Sequence, residues 1–177
     1  MGLTLTETSG SSHDTAIRAY LKDYMLHRAR RPTPSPDGRS VMPPKDMNII
    51  VFGCTQCMYN AADLAGTMKI QYDVSARIIR MPCTARLDIN FVLKALQEGA
   101  DGVLVVGCHP GDCAYKTGNL GAERRVRFTK KLIGQLGMNE GRVKMVFVSA
   151  AEGDKFAAEV NRFADEIRKI GPNPTRL

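Results

Sequence analysis

Apolar residues recur in this chain with two alternating periods. From Met47 onward, short continuous apolar runs take turns with longer stretches in which apolar residues return every three or four positions. The runs are Asn48–Gly53 (NIIVFG), Ala76–Met81 (ARIIRM), Asp101–Gly107 (DGVLVVG) and Arg142–Ser149 (RVKMVFVS). Runs of this kind predict strands buried on both faces. The helical spacing predicts helices over Asn60–Met68, Asp88–Gly99, Ala122–Gly137 and Lys155–Gly171. In the second of these, Phe91, Val92, Ala95 and Leu96 share one face, and Gly99 stops the helix. In the last, Phe156, Val160, Phe163, Ile167 and Ile170 face inward, and Pro172 and Pro174 break the chain beyond it.

Strands alternating with helices predict an α/β fold: a short flavodoxin-like parallel sheet of about four strands with helices on both faces. Right-handed crossovers give it the strand order 2-1-3-4. In such sheets ligands bind at the carboxyl ends of the strands, where the strand order reverses.

The pattern upstream is different. Residues 1–12 are rich in Ser, Thr and Gly and are expected to lack structure of their own. His13–Arg31 reads as an amphipathic helix, with Ile17, Tyr20, Leu21, Tyr24 and Met25 at helical spacing and Ser12 or Asp14 as its cap. Arg31–Pro44 carries Pro32, Pro34, Pro36, Gly38, Pro43 and Pro44, an extended linker. The chain thus divides into an N-terminal arm over 1–46 and a domain over 47–177. An amphipathic helix on a tether needs a surface to cover, and its own domain and another subunit both fit. The arm is expected to dock on a partner subunit.

Composition narrows the class. The first residues show neither a basic n-region nor an apolar h-region, and no apolar run is long enough to span a bilayer. A reducing, cytoplasmic setting is the expectation. The net charge is +7, and the excess is spread: residues 1–46 hold seven Lys/Arg against five Asp/Glu, and residues 47–177 hold eighteen against thirteen. With few aromatics and no Trp, this argues against nucleic acid and fits an acidic protein partner. Arg124, Arg125, Arg127, Lys130 and Lys131 share one predicted helix, either a solvated face or a docking face. No G-x-G-x-x-G follows a strand, and the Gly107-x3-Gly111 spacing lacks the Lys-Ser/Thr of a phosphate loop.

The candidate chemistry lies in five cysteines. Cys54 and Cys57 form C-x2-C, Cys108 and Cys113 form C-x4-C, and Cys83 stands between the pairs. Cys54, Cys83 and Cys108 fall at the ends of the first three predicted strands. With the first strand in the middle, their ends span roughly 10 Å. Cys57 starts the first helix, and Cys113 lies in the loop after the third strand. Clustered thiols in a reducing compartment read as a soft-metal or redox site rather than a disulfide frame. Each short pair is able to grip one iron, and together they suit a 2Fe-2S cluster. A sulfur-rich zinc site, in a zinc-stabilised scaffold or interaction subunit without redox activity, is the main rival. A thioredoxin-like pair at Cys54 and Cys57 is the third reading, and it leaves three cysteines without a role. His109 reads as a loop residue near the site, Asp112 as a turn cap, and Met58, Met68, Met81 and Met145 as packing.

The surrounding residues resemble a known family. Cys54-Thr-Gln-Cys57-Met-Tyr-Asn-Ala-Ala-Asp63-Leu-Ala-Gly66-Thr is similar to the delta subunit of methyl-viologen-reducing hydrogenase, the MvhD family. So are Arg77-Ile-Ile-Arg-Met-Pro-Cys83-Thr-Ala-Arg86 and Gly99-Ala-Asp-Gly-Val-Leu-Val-Val-Gly-Cys108-His-Pro-Gly-Asp-Cys113. Gly118-Asn119, Ala122-Glu-Arg124-Arg125 and Ser149-Ala-Ala-Glu152-Gly-Asp-Lys-Phe156 continue the match, which covers roughly residues 47–172.

The resemblance implies a 2Fe-2S electron-transfer subunit that is not a catalyst on its own. It implies partners too: a hydrogenase, formate dehydrogenase or other dehydrogenase module on one side, and an HdrA-like flavin iron–sulfur subunit of a heterodisulfide reductase-type complex on the other. The expected ligands are Cys54, Cys57, Cys108 and Cys113, with Cys83 as alternate or neighbour. Two features depart from the family. Ala114 stands where the family usually has His after the last cysteine, which bears on hydrogen bonding near the cluster and hence its potential. Residues 1–46 lie outside the family pattern.

Overall fold

The computed structural model describes residues 47–175. The arm over 1–46, with its expected helix and Pro-rich linker, lies outside the described residues.

The sheet has four parallel strands: β1 (Ile49–Cys54), β2 (Ala76–Met81), β3 (Gly102–Gly107) and β4 (Val143–Phe147). Their order is β2-β1-β3-β4, as the crossover rule predicts. β1 and β3 sit in the middle and are buried at every position, which is why they read as unbroken apolar runs. Register follows from pairs such as Val51↔Ile78, Val51↔Leu104 and Val105↔Met145.

Among the described residues four α-helices cover the sheet: α1 (Asn60–Thr67), α2 (Ile89–Gln97), α3 (Gly118–Gln135) and α4 (Gly153–Ile170). One core joins Ile49, Val51, Leu104 and Val106 to Ala61 of α1 and to Phe156, Val160, Phe163 and Ile167 of α4. Alternation along the strands turns Ile50, Phe52, Val103 and Val105 to the opposite side, where they are also fully buried. Val92, Ala95 and Leu96 of α2 and Ala122, Val126 and Ile133 of α3 are the buried helical residues available there.

Two ends are set by local chemistry. Asp88 caps α2 by accepting from the Asn90 amide at 2.8 Å, and Gly99 follows the helix in a left-handed conformation at φ 93°. Helix α3 begins at Gly118, one turn before the Ala122 expected from spacing. Gly-Asn-Leu-Gly has weak helix propensity, so tertiary contacts set this start. A buried Arg142 donates to the carbonyls of Asp101, Gly171 and Pro172 and fastens the tail beyond α4 to the amino end of β3. The carboxyl edge is left clear for loops. Among the described residues, no helix is long and apolar enough to cross a membrane.

Candidate metal centre

All five cysteines are buried and gather at the carboxyl edge of the sheet, with Ala85 packed against them. Cys54 is the last residue of β1, Cys108 directly follows β3, and Cys83 lies two residues past β2. Because β1 lies between β2 and β3, the loops after β1 and β3 part here, at the switch point of the sheet.

A π-helical turn, Thr55–Tyr59, carries Cys57. This wide turn has no signature in the sequence, and turns of its kind are frequent at functional sites. The Thr55 hydroxyl donates to the Met81 carbonyl at 3.0 Å and pins the turn to the end of β2. Met58 plugs into the core directly over Gly53, where a Cβ would stand 1.9 Å from its Cε and 2.9 Å from its Cβ. Only glycine at 53 allows the turn to fold back this closely and bring Cys57 beside Cys54.

Cys83 caps a 3-10 turn, Thr84–Arg86, and its Sγ accepts from the Ala85 amide at 3.4 Å. Arg125 of α3 reaches across to the Ala85 carbonyl at 3.1 Å. Fully buried Asn119 clamps the next loop, its Nδ2 donating to the carbonyls of Cys108 (2.9 Å) and His109 (2.8 Å). His109 meets Glu152 at 2.7 Å, and Glu152 also accepts from the Ser149 amide at 2.6 Å. Asp112 is exposed, and its amide donates to the His109 carbonyl at 3.0 Å.

The thiols fall into two groups. The Sγ atoms of Cys54, Cys57 and Cys108 all lie within 4.8 Å of one another, with Cys57 to Cys108 at 3.2 Å and Cys108 to Cys54 at 3.9 Å. Cys83 and Cys113 form a second group, also 3.9 Å apart. None is at disulfide distance, about 2.05 Å.

Electrostatics at the site favour the thiolate at Cys54 and Cys113 and the thiol at Cys57, Cys83 and Cys108. The Cys57 thiol, hydrogen-bonded to Cys54, is the main cause that lowers Cys54 to about 5, helped by the amides of Gln56 and Cys57 against burial. The same bond keeps Cys57 protonated and pushes it up, with burial adding to the effect. Burial raises Cys108 to about 11, and the charge on Cys54 adds to this. Burial also raises Cys83. Burial pushes Cys113 up too, but the amides of Tyr115, Asn119 and Gly118 outweigh it and leave this thiol below its ordinary value. So without a cation the triad shares its protons around one thiolate. A bound cation reverses that and takes all its ligands as thiolates.

Gly118 forms part of the wall. A Cβ there would lie 2.7 Å from Cys83 Sγ and 3.2 Å from Cys113 Sγ. The donor set, the amides aimed at sulfur and this close wall fit a compact iron–sulfur or zinc group and leave little room for an organic one.

All five residues singled out in the sequence meet here. The supporting set was less visible: Gly53 carries no motif, and Gly118, Asn119 and Glu152 stand out only through the family resemblance. Of the basic residues on α3, Arg125 reaches the site, while Arg127 pairs with Glu123 one turn earlier on the same helix.

Residues 49–171 match the FlpD family, methyl-viologen-reducing hydrogenase, delta subunit. The chain is 53% identical over 131 residues to the vhu iron-sulfur subunit of the F420-non-reducing hydrogenase of Methanocaldococcus jannaschii, covering 74% of this chain and 98% of that one. It is 44% identical to the iron-sulfur subunit of the F420-non-reducing hydrogenase of Archaeoglobus profundus, covering 71% and 91%. It is also 43% identical to part of one polypeptide of the ferredoxin/F420H2-dependent CoB-CoM heterodisulfide reductase of Methanosarcina acetivorans, covering 70% of this chain and 16% of that one. The chain belongs to the family of the methyl-viologen-reducing hydrogenase delta subunit.

Proposed function

We propose that this protein is an electron-transfer subunit in which four of the five buried cysteines hold a 2Fe-2S cluster. The carrying observation is the pairing of thiols at one sheet edge. Two thiolates on a tetrahedral metal with bonds of about 2.3 Å lie about 3.8 Å apart. Cys83–Cys113 and Cys54–Cys108, each at 3.9 Å, match that edge. A 2Fe-2S cluster takes two thiolates per iron, whereas a cubane takes one, so close pairs support the smaller cluster. In this reading Cys83 and Cys113 hold one iron, two of Cys54, Cys57 and Cys108 hold the other, and Cys83 takes the alternate-ligand role left open by its position. The cluster supplies one-electron transfer at a tuned potential. The chain fixes the thiolates, aims amides at Cys54, Cys83 and Cys113, and keeps the sulfurs from bulk water.

The same reading covers partners. The relatives named as hydrogenase subunits align almost along their whole length, while the heterodisulfide reductase relative contains a similar segment within a much longer chain. A unit that stands alone in one protein and is built into a reductase polypeptide in another fits work beside both. We therefore place this chain between a hydrogenase or other dehydrogenase module and an HdrA-like flavin protein, with the arm over 1–46 docking on a neighbour.

Anaerobic purification tests this directly. The protein is expected to be coloured, with about two irons and two sulfides per chain and an EPR signal on reduction. Zinc without iron selects the scaffold reading instead.

A further inference from the structure

The segments that carry the thiols also carry cations close to the cysteines in the chain: exposed Arg80 at the end of β2, exposed Arg86 and Lys116 in the loops after Cys83 and Cys113, and half-buried Arg125 on α3. The Arg80 guanidinium lies 4.9 Å from the ring centroid of Tyr59, two residues past Cys57. The Arg86 amide donates to the Cys83 carbonyl at 3.0 Å, and the Lys116 amide donates to the Cys113 carbonyl at 2.8 Å. Arg125 is fixed on the Ala85 carbonyl, and Ala85 itself packs on the thiols. Lys116 holds a left-handed conformation at φ 61°, which turns the chain sharply between Cys113 and α3. Tyr59 and Tyr115 are exposed on the same loops, at 40% and 61%.

The opposing charges are fewer. Asp88 and Asp112 are exposed there. Glu152 is engaged with the Ser149 amide, His109 and Lys155. The rim is therefore basic, with two tyrosines to supply apolar contact.

We propose that this basic rim is the docking face for an acidic surface of a redox partner protein, with exposed Arg80, Arg86 and Lys116 reading its carboxylates. The proposal rests on the electron-transfer reading above. Its occupant follows from charge. A second copy of this chain carries +7, and residues 1–46 carry seven Lys/Arg against five Asp/Glu, so neither complements the rim. An acidic partner does, and docking over the rim brings its cofactor to the edge where the thiols lie.

Two measurements test it on the cluster-loaded protein. In the first, the reduced protein gives one electron to a charged inorganic oxidant, ferricyanide or hexaamminecobalt(III), in stopped flow. The Arg86→Glu/Lys116→Glu variant is expected to slow ferricyanide at least about tenfold at low salt and to speed the cobalt complex. Lys130→Glu/Lys131→Glu, about 18 Å along α3 from Gly118, is expected to leave both rates near wild type. Equal effects from both variants, or none from the rim variant, overturn the proposal.

The second measurement uses the assembled native complex and a zero-length carbodiimide coupling. Links from Lys116 to Asp or Glu of another protein in the complex are expected. Links that form elsewhere but never at Lys116, or tight binding of a DNA or RNA oligonucleotide at the rim, overturn it. Failure of the cluster reading shows separately, as wild-type protein without the iron–sulfur absorption.

Discussion

Cys83 and Cys113, 30 residues apart in the chain, bring their Sγ atoms to 3.9 Å of each other beside the first residue of α3. That residue is Gly118, and its missing side chain is the space the two sulfurs use. Replacing it tests whether the pair binds metal. Alanine in a first helical turn favours the helix by up to about 1 kcal/mol over glycine. Gly118→Ala is therefore expected to keep its far-UV circular dichroism while its iron and sulfide content falls at least about tenfold. Full cluster occupancy in this variant would remove the pair from the ligand set.

The grouping of thiols predicts an asymmetry among cysteine variants. Cys83 and Cys113 stand as an isolated pair, whereas Cys54, Cys57 and Cys108 offer one thiol more than an iron needs. Cys83→Ser and Cys113→Ser are expected to lose most of the cluster, about tenfold or more in retained iron. At least one serine variant within the triad is expected to keep it. Iron content and EPR of the reduced proteins read the difference, and an unchanged signal in Cys83→Ser would reverse the assignment.

The fold was legible because its central strands are buried on both faces, so Ile49–Phe52 and Val103–Val106 read as runs with no polar interruption. The strand order followed from crossover handedness, and with it the meeting of Cys54, Cys83 and Cys108 at one edge. Spacing reports only part of the grouping: Cys54 and Cys57 remain neighbours within 4.8 Å, whereas Cys113 lies 3.9 Å from Cys83 and Cys108 joins Cys54 and Cys57. Cys83 reaches Cys113 because α3 starts at Gly118, and that start depends on tertiary contacts rather than propensity. The π turn depends on Met58 finding space over Gly53, a contact between a strand and the turn after it that no periodicity reports.

Asn119 holds the Cys108 loop through two side-chain hydrogen bonds, one to the buried Cys108 carbonyl and one to the partly buried His109 carbonyl. Alanine leaves both acceptors without their donor, the Cys108 carbonyl in a buried position. One orphaned buried group costs about 1–3 kcal/mol, so Asn119→Ala is expected to lose about 2–3 kcal/mol in urea denaturation. The isosteric Asn119→Asp removes the donor while keeping the volume, and is expected to be at least as harmful. A loss below about 0.5 kcal/mol in both would show that the loop is held by other contacts.

Acid sensitivity has a source away from the thiols. Asp73, in the loop before β2, accepts from the Ser75 amide at 2.9 Å and pairs with Arg168 of α4. Burial pushes its carboxyl up, but the Ser75 hydroxyl and amide and the Arg168 guanidinium outweigh burial and hold it below the ordinary 3.8. A carboxyl depressed in the folded state stabilises above its unfolded value and loses that contribution as pH falls through its folded value. Asp73→Asn is therefore expected to lower stability at pH 7, by about 1 kcal/mol for a partly exposed pair. The gap should close as pH falls below about 4. Melting temperatures of both proteins from pH 7 to pH 3 measure this, and cluster loss in acid, common to both, cancels in the difference. A gap that stays constant across that range would mean that the carboxylate charge is not what ties this loop to α4.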